Sequence, residues 1–133
     1  DLESIQRVYS YIVGPPTGQE RTWNRLIQEG WLIVAQVDGE VVGFGGIDIQ
    51  AAEQLKWLYV LPEYQGAGIG AKLLNELEQL GWGSGLRAIR LHAAPGAAEF
   101  YQRHGYRRAA GDDSEDNRVV HNHEGVEMIK ERL

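Results

Sequence analysis

Apolar residues recur at helical spacing from the start of the chain. Leu2, Ile5, Val8, Tyr9 and Ile12 fall on one helical face behind Asp1, a good N-cap. This spacing predicts a helix that Gly14-Pro15-Pro16 ends. Thr17 to Glu20 reads as a capping box. It opens a second helix with Trp23, Leu26 and Ile27 on one face and Gly30 as its stop. The pattern then changes to strands. Trp31 to Val37 is β-rich, Asp38-Gly39 is a two-residue hairpin signal, and Val41 to Ile49 returns as the partner strand. Gln54 to Val60 is a third strand. Gly68 to Leu80 is a helix with Ile69, Leu73, Leu77 and Leu80 as its buried stripe. Gly81 to Gly85 reads as a loop and Leu86 to His92 as another strand. Pro95 to His104 is a short helix with Gly105 just past its end. Tyr106 to Ala110 is a strand candidate, Gly111 to Asn117 an acidic loop, and Val126 to Lys130 a last strand.

Strand 54–60, helix 68–80 and strand 86–92 make a parallel crossover beside an antiparallel hairpin. The expected fold class is therefore α/β (α+β): a mixed sheet with helices on both faces. At 133 residues the chain is expected to be one domain over 1–133. In open sheets of this kind ligands bind beyond the carboxyl ends of parallel strands. Loop 61–67 lies there, and so does the loop after His92.

Composition narrows the function. With 43% hydrophobic and 24% charged residues the chain reads as a globular protein. A net charge of -6 argues against nucleic acid as the main partner, because phosphate contacts need a basic surface. There is no cysteine, which excludes disulfides and thiolate chemistry and fits a cytoplasmic location. No apolar run approaches ~18 residues, so no membrane span is expected. No signal peptide is visible, although the chain starts without Met.

The segment Leu58-Tyr59-Val60-Leu61-Pro62-Glu63-Tyr64-Gln65-Gly66-Ala67-Gly68-Ile69-Gly70-Ala71-Lys72 carries the chemistry. A strand hands its chain to a helix through glycines, which leaves backbone N–H groups free for an anion. Gly66-Ala67-Gly68-Ile69-Gly70-Ala71 matches a dinucleotide fingerprint. That reading needs an acidic residue at the end of the next strand, and Leu91-His92-Ala93-Ala94 has none. A P-loop pattern cannot be read through Lys72.

A third reading fits more residues. Val60, Pro62 and Gln65-Gly66-Ala67-Gly68-Ile69-Gly70 resemble the acyl-CoA-binding motif of the GNAT N-acetyltransferase superfamily. Ala97-Ala98-Glu99-Phe100-Tyr101-Gln102-Arg103-His104-Gly105-Tyr106 is similar to its second motif. Both stand in the family's order, and the element order agrees over nearly the whole chain. The family usually has a strand before the first helix, and an Asn where this chain has Ala94.

The resemblance implies acetyl transfer from acetyl-CoA to the amine of a small molecule or protein. It implies that Gln65, Gly66, Ala67, Gly68, Ile69, Gly70 and Ala71 hold the diphosphate of coenzyme A. The backbone of Leu58, Tyr59 and Val60 would then pair with the pantetheine arm. Tyr101 is the family's usual general-acid position. The frequent glutamate position of the family falls near Gln54. An amine of pKa ~10.4 is only about one part in 2,500 deprotonated at pH 7, so a base is useful. Glu53 and His92 are the candidates, each also readable as a plain strand-end polar residue. The alternative to catalysis is a non-catalytic acyl-CoA-binding sensor or degenerate relative.

His121-Asn122-His123, Glu124 and the run Asp112, Asp113, Glu115 and Asp116 could be read as a metal site. Such loops are more often simply solvated, and no metal is expected. Trp23, Tyr9 and Tyr11 could line an acceptor pocket, although at helical spacing they read first as core. Nothing in the pattern requires more than a monomer or a homodimer.

Overall fold

The computed structural model describes residues 2–12, 20–109 and 125–132. The Asp1 cap, the Gly14-Pro15-Pro16 stop, the Thr17 end of the capping box, the acidic loop and the histidine pair at 121 and 123 lie outside the described residues, as does the side chain of Tyr11.

Two helices come first, α1 (Leu2–Ile12) and α2 (Glu20–Glu29). The hairpin β1 (Leu32–Val37) and β2 (Glu40–Ile47) follows, then β3 (Leu55–Val60). Helix α3 (Ile69–Gly83) leads to β4 (Ala88–Ala93). The chain continues through α4 (Ala98–Arg103), the short β5 (Arg107–Arg108) and β6 (Val126–Glu131). The six strands form one mixed sheet in the order β1-β2-β3-β4-β6-β5. Only β3 and β4 run parallel. The expected α/β sheet with helices on both faces is what forms.

Two cores sandwich the sheet. On one face Ile5, Tyr9, Trp23 and Leu26 of α1 and α2 pack on Val42, Phe44 and Trp57. Trp23 is fully buried, edge-on to Tyr9, Phe44 and Trp57. On the other face Leu74 and Leu77 of α3 pack on Ile47, Leu55, Ile89, Leu91 and Met128. Strand β2 is buried from Val41 to Ile47. Its glycines let the layers close: a Cβ on Gly45 would sit 2.6 Å from Leu77 Cδ1.

A register shift separates the pairs Gly46↔Trp57 and Ile47↔Leu55, so Lys56 is an extra residue in β3. Strict alternation would put Leu55 and Trp57 on one face. The bulge sends Leu55 into the core under α3 and Trp57 into the core under α1 and α2.

Several element ends differ from the pattern reading. Helix α3 runs through Gly81 to Gly83 instead of stopping at Leu80. Gly81 is a packing residue: a Cβ there would meet Ile47 Cδ1, Leu86 Cδ1 and Ile89 Cδ1 at 3.1–3.3 Å. Glu78, on the same helix, is buried and takes Lys130 Nζ at 3.1 Å. The segment 61–67, read as loop, contains a 3-10 turn, Pro62–Tyr64. Helix α4 is shorter than expected, because Ala94 to Ala97 forms a turn closed by Ala97 N–H to Ala94 O. Of the candidate strand at 106–110, Arg107 and Arg108 pair with β6.

Candidate active site

The parallel strands β3 and β4 meet at one ladder pair, Leu55↔Leu91. Gln54 reinforces that end, its Oε1 accepting from Arg90 N–H at 2.9 Å. The position where a family glutamate is frequent is thus occupied by a side chain that ties the two strands. From there to Val60 no further β3–β4 pair forms among the described residues. The strands part, and the β4 side of Leu58 to Val60 is left without a strand partner. The bulge at Lys56 lies where the parting begins.

The parting opens into a cavity of about 490 Å³. Leu58 and Val60 line it from β3, and Gln65, Gly66, Gly68, Gly70 and Ala71 from the loop and α3. Ala97, Phe100, Tyr101, Arg103 and His104 line it from the α4 region. The helix N-cap is Gly68, with no side-chain cap, and the first helical bond runs from Lys72 N–H to Gly68 O at 3.1 Å. The N–H groups of the first turn therefore face the cavity without a helical partner. Gly66 and Gly68 have φ of +87° and +85°, and a Cβ at either would point into open space. Among the described residues no carboxylate lines the cavity, and the charged or titratable side chains lining it besides Tyr101 are Arg103 and His104.

These features fit a diphosphate. The uncapped helix end and its dipole favour an anion, and backbone without Cβ atoms permits close approach. The open edge of β3 suits an extended amide-containing arm laid alongside it.

The expected residues are placed unequally. Leu58, Val60, Gln65, Gly66, Gly68, Gly70, Ala71 and Tyr101 line the cavity. Tyr59, Ala67 and Ile69 do not. Tyr59 turns to the opposite face, 5.5 Å from the rings of Tyr9 and Phe44. Ile69 packs against the α1–α2 core. Gln65 directs its amide inward, Nε2 donating to Val60 O at 2.9 Å, so it holds the loop to the strand end. Ala97, Phe100, Arg103 and His104 line the cavity without having been expected to. The rings of Phe100 and His104, the C-cap of α4, lie 4.7 Å apart, tilted by 52°. The helical i, i+4 spacing from Phe100 to His104 was the available signal.

Tyr101 is buried, with Phe100 and Tyr106 edge-on to it. Burial first, and the neighbouring Tyr59 second, push its hydroxyl up to about 12. Below that it is a neutral hydrogen-bond donor.

Glu53 and His92 lie outside the cavity but close to each other. Leu91 belongs to the core under α3, so alternation turns His92 to the opposite face of the sheet. His92 pairs across strands with Glu127 of β6. Polar atoms of Glu53, His92 and Glu127 all lie within 4.8 Å of one another. Glu127 was not foreseen, because it belongs to no motif and meets His92 only through strand pairing. A hydrogen bond with Glu53, then partial burial and the Glu53 charge, raise its carboxyl; His92 and Arg90 pull the other way.

Comparison with known proteins gives the family. Residues 28–108 match the family described as "Acetyltransferase (GNAT) domain". An uncharacterized N-acetyltransferase YjhQ of Escherichia coli K12 is 31% identical over 94 residues, covering 60% of this chain and 48% of that protein. An uncharacterized N-acetyltransferase of Archaeoglobus fulgidus is 40% identical over 53 residues, covering 34% of this chain and 36% of that protein. The chain spans less than half the length of these curated relatives. The PaiA N-acetyltransferase of Thermoplasma acidophilum, solved with coenzyme A, superposes with a TM-score of 0.71 at 22% identity over 99% of this chain and 93% of that one. Arabidopsis thaliana Naa50, solved with the bisubstrate analogue CoA-Ac-MVNAL, gives 0.73 at 19% identity over 98% and 92%. The chain belongs to the GNAT acetyltransferase family.

Proposed function

We propose that the chain is an N-acetyltransferase that moves an acetyl group from acetyl-CoA to a primary amine of a small molecule or peptide. The observation that carries this is the parted edge of β3, ending at an uncapped, glycine-rich helix N-terminus in a cavity that no carboxylate lines among the described residues.

Acetyl-CoA would supply an acyl group activated as a thioester. The first turn of α3, with Gly66 and Gly68, holds the diphosphate, and the exposed Arg103, 3.8 Å from Glu99, stands at the rim. The β4 side of Leu58 to Val60, where only Val60 O is already taken, by the Gln65 amide, orients the pantetheine arm, and an N–H there polarises the thioester carbonyl. Tyr101 donates a hydrogen bond to the sulfur as it leaves. Glu53 and His92 stand on the opposite face of the sheet, at the end where β3 and β4 are still joined. In this reading the proton of the amine is taken at this polar cluster.

The test is calorimetric titration with coenzyme A, followed by thiol release from acetyl-CoA with two amine probes. The pentapeptide Met-Val-Asn-Ala-Leu and free glutamate are suitable, since Naa50 and an N-acetylglutamate synthase of the same fold were solved with related groups. Coenzyme A binding with amine-dependent thiol release is expected. Binding without release under any amine would leave an acyl-CoA sensor; no binding at all would refute both.

A further inference from the structure

Among the described residues, the helices cover only part of the sheet face opposite α3. Helices α1 and α2 pack on β1, β2 and β3. Over β4 and β6 this face carries Arg90, His92 and Glu127, all exposed among the described residues. Glu53 reaches them from the segment before β3, beside the Gln54 tie to β4. Two carboxylates and an imidazole thus converge behind the seam at which the acyl-donor cavity opens on the other side.

We propose that Glu127 is a further catalytic residue: with Glu53 it forms a paired-carboxylate proton acceptor for the ammonium group of the acceptor, with His92 holding the pair from the cross-strand position. The proposal rests on the acetyl-transfer reading. Two adjacent carboxylates hold one proton between them more firmly than a lone carboxylate does, because the first proton relieves their repulsion and is shared. The approach of the Glu127 and Glu53 carboxylates to within 4.8 Å of each other, beside His92, is the geometric basis for that sharing. Before it takes a proton the pair is doubly negative, which draws a cationic amine to an exposed patch. The groups facing Glu127 are Glu53 from the segment before β3 and His92 and Arg90 from β4. The two from β4 limit the rise and do not reverse it.

The proton accounting is simple. One N–H proton of the ammonium passes to the carboxylate pair and frees the nitrogen lone pair. That lone pair forms the N–C bond to the acyl carbon, and the C–S bonding electrons leave with sulfur. A second N–H proton ends on the sulfur as the thiol, and the pair returns its proton to water.

Carbon-13 carboxyl titration of the coenzyme A-loaded protein tests the pairing without turnover. The Glu127 carboxyl is expected to titrate above the ordinary glutamate range, and to fall back in Glu53→Gln. With the pentapeptide or glutamate as acceptor, Glu127→Gln is expected to lower kcat roughly tenfold or more. It should also move the acid limb of the kcat/KM profile to lower pH, with KM for acetyl-CoA unchanged and partial recovery in Glu127→Asp. The exposed Glu131, paired with Arg107 further along β6, is the control, and Glu131→Gln should leave the profile in place. An ordinary Glu127 titration, or an acid limb unmoved in Glu127→Gln, would overturn the proposal. Coenzyme A binding without acetyl transfer to either probe would sink the acetyl-transfer reading itself, and the proposal with it.

Discussion

Replacing Tyr101 by Phe removes one buried hydroxyl and little else. The ring keeps its edge contacts with Phe100 and Tyr106, and the side chain stays in the α4 wall of the cavity. What the hydroxyl does follows from its acidity. The Tyr101 hydroxyl is pushed up to about 12 by burial, while a parent thiol lies near ~8.5. Full proton transfer from tyrosine to thiolate is then uphill by roughly 3.5 pK units, or about 4.8 kcal/mol. The group therefore serves better as a donor that stabilises developing charge on sulfur than as the completed source of the proton. A hydrogen bond to a charged partner contributes about 1.5–3 kcal/mol, which converts to roughly a 10- to 150-fold loss of kcat in Tyr101→Phe. KM for acetyl-CoA should change little, because the bond strengthens only as charge develops. The assay is thiol release under saturating acceptor, with a pH profile for both proteins. Wild-type kcat in Tyr101→Phe would refute the role. A basic limb between pH ~8 and ~9 that vanishes in the variant would refute the acidity argument. The same shift has a sign for stability. A folded-state value raised above the unfolded one gives stability fully present below about pH 10, lost as pH rises through about 12.

Other outcomes follow from the packing. Gly68→Glu places a side chain at a left-handed φ, costing about 1–2 kcal/mol, and sets a carboxylate where the diphosphate would lie; calorimetry should show coenzyme A binding lost while a thermal melt shows the fold retained. Gly45→Ala drives a Cβ to 2.6 Å from Leu77 Cδ1, and such overpacking should cost about 1–3 kcal/mol in urea unfolding; an unchanged midpoint would contradict the close approach of α3 to β2. Lys130→Met strands the buried Glu78 carboxylate and should cost about 3 kcal/mol, discounted to nearer 2 because Lys130 is partly solvated. Adding Glu78→Leu should recover most of that loss, and its failure to do so would show that the pair contributes more than mutual compensation.

Much of the architecture was legible because it is local. The Asp38-Gly39 turn dictates a hairpin whatever surrounds it. The leucines of α3 give its inward face through their spacing alone. The glycines after Pro62 and the Phe100-Tyr101 pair marked the two walls of the cavity. Misreadings came where a neighbour overrode a local signal. Gly81 was read as a breaker, yet it continues the helix because Ile47, Leu86 and Ile89 leave room for nothing larger. Gln65 lines the cavity as its place in the motif suggests, while the bond from its amide to Val60 O has no signal in the sequence.

The chain alone determined which segments bury an apolar face, where the turns fall and which loop offers bare N–H groups, since each depends on residues within a few positions. Tertiary structure decided what depends on strands meeting. The parting of β3 from β4 after a single ladder pair, beside a bulge at Lys56 in the β2–β3 ladder, has no sequence signature. The meeting of Glu53, His92 and Glu127 joins residues far apart in the chain. Only cross-strand pairing brings their charges within range of one another, because carboxylates and imidazoles influence each other's protons over a few ångströms of space, whatever their separation along the chain.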